Sequence, residues 1–170
     1  MSEELIEEID WDGNTIAIHP KSKLKERMFV HKVSLVIPRA SKDTFILSRR
    51  SKDKFPWPDK WVCAIGGKVA ANESYEDAAL RETKEEAGMN LKLVYVTEFK
   101  HDSEEYKGIF RIFTTKEPIN INSMVPHPGE IQYFKAFTLN QIEKMVKDKP
   151  EDFAPTFIAA IKAFIRDIKY

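Results

Sequence analysis

Glu82, Glu85 and Glu86 are the residues of this chain whose type and spacing most clearly allow chemistry. They lie in an acidic stretch, Gly67 to Met89, that also holds Glu73, Glu76 and Asp77. A helix of such charge is ordinarily a solvated face, but the spacing here says more. At about 100° per residue, Ala79, Leu80, Thr83 and Ala87 share one quadrant that would face a core. Glu82, Glu85 and Glu86 share the next arc, side by side at the border of that core, while Asp77 and Lys84 point towards water. Carboxylates crowded along one edge repel each other unless a cation lies between them. Oxygen-only ligands suit a hard divalent ion, Mg²⁺ or Mn²⁺, rather than zinc.

The elements that must position these carboxylates are legible around them. Asn72 and Ser74 both qualify as N-caps, and Ser74-Tyr75-Glu76-Asp77 reads as a capping box. Gly88 is placed to stop the helix in the left-handed conformation. Gly66-Gly67 lets the chain turn closely ahead of the helix, bringing backbone oxygens towards the ion. Arg81, one turn before Glu85, can hold a carboxylate in place.

The pattern Gly67, Glu73, Arg81-Glu82, Glu85-Glu86, Gly88 and Met89 resembles the Nudix box. Its fixed glycine, arginine and glutamate positions would coincide by chance on the order of 10⁻⁸ per starting position. Thr83 departs from the box, which usually has an aliphatic residue there. The resemblance implies an α/β fold, a Nudix-like α/β/α sandwich with a mixed β-sheet and a central metal-binding helix, over nearly the whole chain. It also implies Glu82, Glu85, Glu86 and the Gly67 backbone as metal ligands, with Arg81, Glu82 and Glu85 serving catalysis.

The rest of the sequence agrees with a single domain over residues 1–170. Lys and Arg number 27 and Asp and Glu number 27, so net charge argues for neither nucleic acid nor membrane as a partner. The single cysteine, Cys63, rules out an internal disulfide and fits a reducing cytoplasm. No apolar run approaches membrane-spanning length, and Met1-Ser2-Glu3-Glu4 lacks a basic signal-peptide start. Pattern suggests a hairpin over about 4–18, then a basic loop over 21–27. Strands are expected at 29–37, 44–49 (pairing with the previous one), 61–65, 91–99, 109–114 and 131–137. His101 to Gly108 reads as a polar connection. Helices are expected at about 140–147 and 155–168, the second burying Phe157, Ile158, Ile161 and Phe164 or Ile165.

The loop ahead of the box mixes cations and aromatics: Arg49, Arg50, Lys52, Lys54, Phe55, Trp57 and Trp61. Arg50 and Lys54 can bind a diphosphate, with Trp57 or Phe55 against a flat or apolar group, whereas Trp61 reads as core. This segment resembles isopentenyl-diphosphate isomerases and the Nudix hydrolases related to them. Those isomerases carry Cys-Gly-His ahead of the metal helix; here stands Gly66-Gly67-Lys68, and strand alternation turns Cys63 away from that place. His31 matches an isomerase metal ligand but lacks its histidine partners, and reads as a structural residue at a strand end.

The expected reaction is hydrolysis of a diphosphate bond in a small-molecule nucleoside diphosphate derivative, with Mg²⁺ or Mn²⁺ as cofactor. An isomerase and a nucleotide-binding regulator are the alternatives, and a homodimer is left open. A general base from outside the box is expected: Glu130, at a loop-to-strand junction after a loop long enough to move, with Glu104, Glu105 or a box glutamate as alternatives; Glu98 lies in a strand.

Overall fold

A computed structural model describes residues 2–169. Strands β1 (Leu5–Ile9) and β2 (Thr15–Pro20) form the N-terminal hairpin. The basic segment after it contains one helical turn, α1 (Lys23–Glu26), where sequence suggested only a loop. Two larger sheets follow. In the first, β3 (His31–Val36) lies between β6 (Ile65–Lys68), antiparallel, and β8 (Lys107–Thr115), parallel, with β7 (Leu93–Asp102) at the edge. In the second, β4 (Thr44–Arg50) lies between β5 (Trp61–Cys63) and β9 (Ile131–Thr138), all antiparallel.

Two pairings differ from the sequence expectation. β4 is not the partner of β3. Pro38 has no N–H to extend the first ladder, and its carbonyl accepts from Ile46 N–H (2.9 Å), so the chain crosses to the second sheet there. The expected single strand over 61–65 likewise divides at Ala64 into β5 and β6, one in each sheet. The polar connection expected from His101 to Gly108 is shorter, since β7 runs to Asp102 and β8 starts at Lys107; the turn between them is closed by Ser103 N–H donating to the Tyr106 carbonyl (3.0 Å).

The acidic helix is α2 (Tyr75–Ala87). Ser74 is its cap, the hydroxyl accepting from Asp77 N–H (3.0 Å), while Asn72 lies outside the helix with φ 66°. Its buried residues are Tyr75, Ala78, Ala79, Thr83 and Ala87, but Leu80 is 36% exposed, contrary to the helical-wheel expectation. The inward face is therefore rotated towards Ala78, and Glu82 and Glu86 fall within it rather than at its border. Small residues there let α2 approach β3 closely, where Ser34 Oγ donates to the Tyr75 carbonyl (2.6 Å). Thr83 satisfies its hydroxyl on the Ala79 carbonyl (2.7 Å), which explains how a polar residue stands at this buried place.

On the far side, α3 (Leu139–Asp148) packs on β9 of the second sheet, while α4 (Pro155–Asp167) reaches β5 of the second sheet and β7 and β8 of the first. Ile142, Phe157, Ala160, Ile161 and Phe164 pack with Phe45, Leu47, Trp61 and Phe137. Ile158 and Ile165 are only partly buried. Both sheets thus lie between α2 and the α3–α4 pair, an α/β/α sandwich. Among the described residues no helix is long and apolar enough to cross a membrane.

Gly88 ends α2 at φ 66°, its N–H donating to the Lys84 carbonyl (3.1 Å). Gly88→Ala is expected to cost about 1 kcal/mol, because a Cβ disfavours that conformation. Urea unfolding of the two proteins checks this.

Candidate active site

Gly66 and Gly67 of β6 run directly beneath α2. A Cβ at Gly67 would fall 2.1 Å from Glu82 Oε1, so only glycine lets this carboxylate lie against the strand. Gly66 N–H donates to Glu86 Oε2 (3.2 Å). Burial and the Glu82 charge push Glu86 up to about 8, and burial also raises Glu82. Glu85 is the outer member, its side chain 57% exposed.

Arg81 organises these acids. Its Nε donates to Glu73 Oε1 (2.8 Å), and Nη1 reaches Glu82 Oε1 (2.9 Å) and Glu85 Oε2 (3.5 Å). Nη2 donates to the Lys68 carbonyl (3.2 Å), tying helix to strand. Glu73 Oε2 also accepts from Ala70 N–H (2.8 Å), so the connection between β6 and α2 is locked by the same pair.

Among the described residues no three His, Cys, Asp or Glu side chains converge as a closed ligand set. Glu82 and Glu85 are instead both turned onto Arg81. The donor chemistry nonetheless fits a hard divalent ion: buried, mutually repelling carboxylates beside a glycine backbone gain from a cation that brings their oxygens together.

The same carboxylates border a cavity of about 990 Å³. Arg50, Lys54, Trp57 and Glu130 all line it, so the residues expected to bind and to catalyse share one space. Lys54 Nζ is paired with Glu130 (2.6 Å), which joins an expected phosphate ligand to the expected base. Arg50 Nε donates to the Pro56 carbonyl (2.8 Å), with its charge near Glu130 and Glu86. Trp57 adopts φ 60°, an uncommon backbone for a bulky residue, and its ring meets Tyr106 at 5.9 Å. Asp59, also left-handed, anchors the loop by accepting from Arg49 Nε (2.9 Å) and Gln132 Nε2 (2.8 Å). Phe55 is 84% exposed at the rim.

Other expectations are placed elsewhere. The loop before Glu130 is not free to swing over the site. Val125 and His127 N–H donate to the Ala87 and Glu86 carbonyls (3.0 and 3.1 Å), completing the end of α2. Glu105 borders the cavity, whereas Glu98 pairs with Arg111 (2.8 Å) in a separate depression. His31 is buried, bonds the Phe29 carbonyl through Nδ1 (3.0 Å), and is pushed down to about 4 by burial; it does not line the cavity. Trp61 is core. Cys63 forms part of the cavity's inner wall, which strand alternation did not suggest, yet it is buried and burial pushes its thiol far up. A neutral thiol is a poor nucleophile.

Among the lining residues that the sequence did not single out are Lys68 and Tyr106. Lys68 directly follows the paired glycines and could have been found from that position. Tyr106 lay in a stretch that reads as a polar turn.

The fold and the site together define an enzyme of diphosphate hydrolysis. The chain belongs to the NUDIX domain family, whose model matches residues 28–157, and it is a Nudix hydrolase. It is 24% identical over 152 residues to a prenyl-diphosphate phosphatase of Methanosarcina mazei, covering 89% of each chain. It is 26% identical over 147 residues to an isopentenyl-diphosphate Delta-isomerase of Dinoroseobacter shibae, covering 82% of each. Its fold is similar to that of DR0079 from Deinococcus radiodurans (TM-score 0.81, 16% identity, 95% of this chain and 99% of that one). A MutT protein from Methanosarcina mazei is also similar (TM-score 0.67, 23% identity, 82% and 94%).

Glu86 yields a prediction for the metal-free protein. Its carboxyl moves from an ordinary 4.5 to about 8 on folding, so the folded state holds an extra proton between those values. Stability is fully present below about 4.5 and is lost as pH rises towards 8. In excess chelator, Glu86→Gln should melt several degrees above the wild type at pH 8, with the difference gone at pH 4.5.

Proposed function

We propose that this Nudix hydrolase cleaves the phosphorus–oxygen–phosphorus bond of an organic diphosphate with an apolar chain, using Mg²⁺ or Mn²⁺. One observation carries the reading: buried carboxylates and a cationic wall share a cavity whose remaining wall is largely apolar. Glu82, Glu85, Glu86 and the Gly67 carbonyl would hold the ion. Such an ion, when bound, neutralises phosphate oxygens and acidifies water.

The chain's own groups perform the rest. Arg50 and Lys54 bind the diphosphate and fix it for in-line attack at phosphorus. A phosphate that takes Lys54 releases Glu130 from its ion pair, leaving that carboxylate free to accept a proton from the attacking water. Arg81 holds Glu82 and Glu85 in position. The products are an organic monophosphate and inorganic phosphate. A single, buried thiol supports a reducing, cytoplasmic setting.

Leu24, Met28, Val33, Leu35, Val62 and Phe110 in the cavity wall favour a prenyl-type chain. The relationship to a prenyl-diphosphate phosphatase supports the same class. Ser48, a polar group in that wall, already gives its hydroxyl proton to the Cys63 carbonyl (2.9 Å) and has none to offer the edge of a base. A nucleoside diphosphate derivative is the second reading, favoured by Trp57 and Tyr106 as aromatic surfaces on which a base can stack.

Turnover with Mg²⁺ or Mn²⁺, read as phosphate release from geranyl and farnesyl diphosphates and ADP and as AMP formation from ADP-ribose, separates the two. We expect kcat/KM at least about tenfold higher for the prenyl substrates, and Glu130→Gln to lose about a hundredfold in kcat. Preference for ADP-ribose would transfer the site to the nucleoside class. A wild-type rate in Glu130→Gln would place the base elsewhere.

A further inference from the structure

The cavity cations differ in how they are held. Lys54 pairs with Glu130, Lys21 reaches Glu4 (3.3 Å), Arg50 bonds the Pro56 carbonyl, and Arg81 is enclosed by acids. Lys68 also lines the cavity and is half-buried. Among the described residues its ammonium has no hydrogen-bond or ion-pair partner; its contact is the Tyr106 ring, 5.8 Å to the centroid. An ammonium drawn into a protein interior without a counter-ion is costly to keep. The Tyr106 ring offsets only part of that cost.

The backbone that presents Lys68 is rigid. It is the last residue of β6, in register with Val33, and its carbonyl accepts from Arg81 Nη2. The side chain therefore leaves a fixed strand end immediately after the glycines on which Glu82 and Glu86 rest. The charges acting on it are those of Lys21, Lys54 and Arg50, which oppose it, and of Glu4, which favours it more weakly, so it belongs to the cationic side of the cavity.

We propose that Lys68 is a substrate-binding residue that takes a non-bridging oxygen of the diphosphate, with Arg50 and Lys54 on its other oxygens. This rests on the diphosphate reading above. A diphosphate supplies the counter-charge that the ammonium lacks, and the Tyr106 ring beside it begins the surface on which the organic group lies. Lys68 is thereby the point where recognition of phosphate passes into recognition of the chain.

The probe is inorganic pyrophosphate, titrated calorimetrically into the whole protein in chelator, for wild type, Lys68→Met and Lys68→Arg. Lys68→Met should keep or raise the melting temperature, because it removes an unpaired charge. It should weaken pyrophosphate binding about tenfold or more, and Lys68→Arg should restore most of that. On the best substrate, Lys68→Met should raise KM more than it lowers kcat. Equal pyrophosphate affinity in wild type and Lys68→Met, or no rescue by Lys68→Arg, would overturn the assignment. So would a wild type that binds no pyrophosphate. The binding arm does not depend on turnover. If no diphosphate is hydrolysed yet Lys68→Met loses pyrophosphate affinity, the hydrolase reaction fails while the role of Lys68 stands.

Discussion

Repulsion between carboxylates gathered under one helix is the constraint on which the rest of this structure depends. Glu82 and Glu86 lie on the inward face of α2, where burial disfavours their charged forms. Everything nearby limits that cost. Gly67 removes the Cβ that would strike Glu82, Gly66 donates a backbone N–H to Glu86, and Arg81 spreads its guanidinium over Glu73, Glu82 and Glu85. Helix, strand end and arginine form one unit, because Arg81 also grips the Lys68 carbonyl. The negative charge that remains is what a divalent ion, if bound, would offset.

The opposite wall carries the complementary charge. Arg50 and Lys54 supply it from β4 and the loop after it, and Lys68 adds to it from the end of β6 beside the carboxylates; the remaining surface of the cavity is largely apolar. Apart from Lys68, the two walls are built on different sheets, and the crossing at Pro38 and the division at Ala64 bring them together. Had β3 and β4 paired as a simple hairpin, the cationic loop and the glycine strand would share one sheet and no cavity would open between them. The loop itself is held by Asp59 and by the left-handed Trp57, so its aromatic surface is positioned before any ligand arrives.

Much of this was legible in the sequence, for physical reasons. The box residues obey local rules of capping, helical period and glycine geometry, so Ser74, Gly88 and the carboxylate arc could be read without tertiary information. Arg50, Lys54, Trp57 and Glu130 could be nominated by type and position, and the fold gathers them into one cavity. What could not be read was decided at a distance. The true inward face of α2 depends on how closely the alanines approach β3, which put Leu80 outside and two glutamates inside. The partners of β3 depend on where a proline ends the ladder. Pinning of the 118–130 loop depends on orphan carbonyls at the end of α2 that no local pattern reveals. Lys68, at the end of β6, and Tyr106, in the turn between β7 and β8, meet only in the fold, and composition gives no hint of that meeting.

The central claim, that this carboxylate cluster is a divalent-metal site kept partly protonated by burial and by its own crowding, has a direct test. Mn²⁺ binding can be measured calorimetrically at pH 7 in two buffers of different ionisation enthalpy, which counts the protons released. With Glu86 near 8 in the metal-free fold, binding should release close to one proton at pH 7, and Glu86→Gln should lose most of both the affinity and the release. Mn²⁺ that stays free in the presence of the wild-type protein, or that binds equally to Glu86→Gln without proton release, would contradict the account.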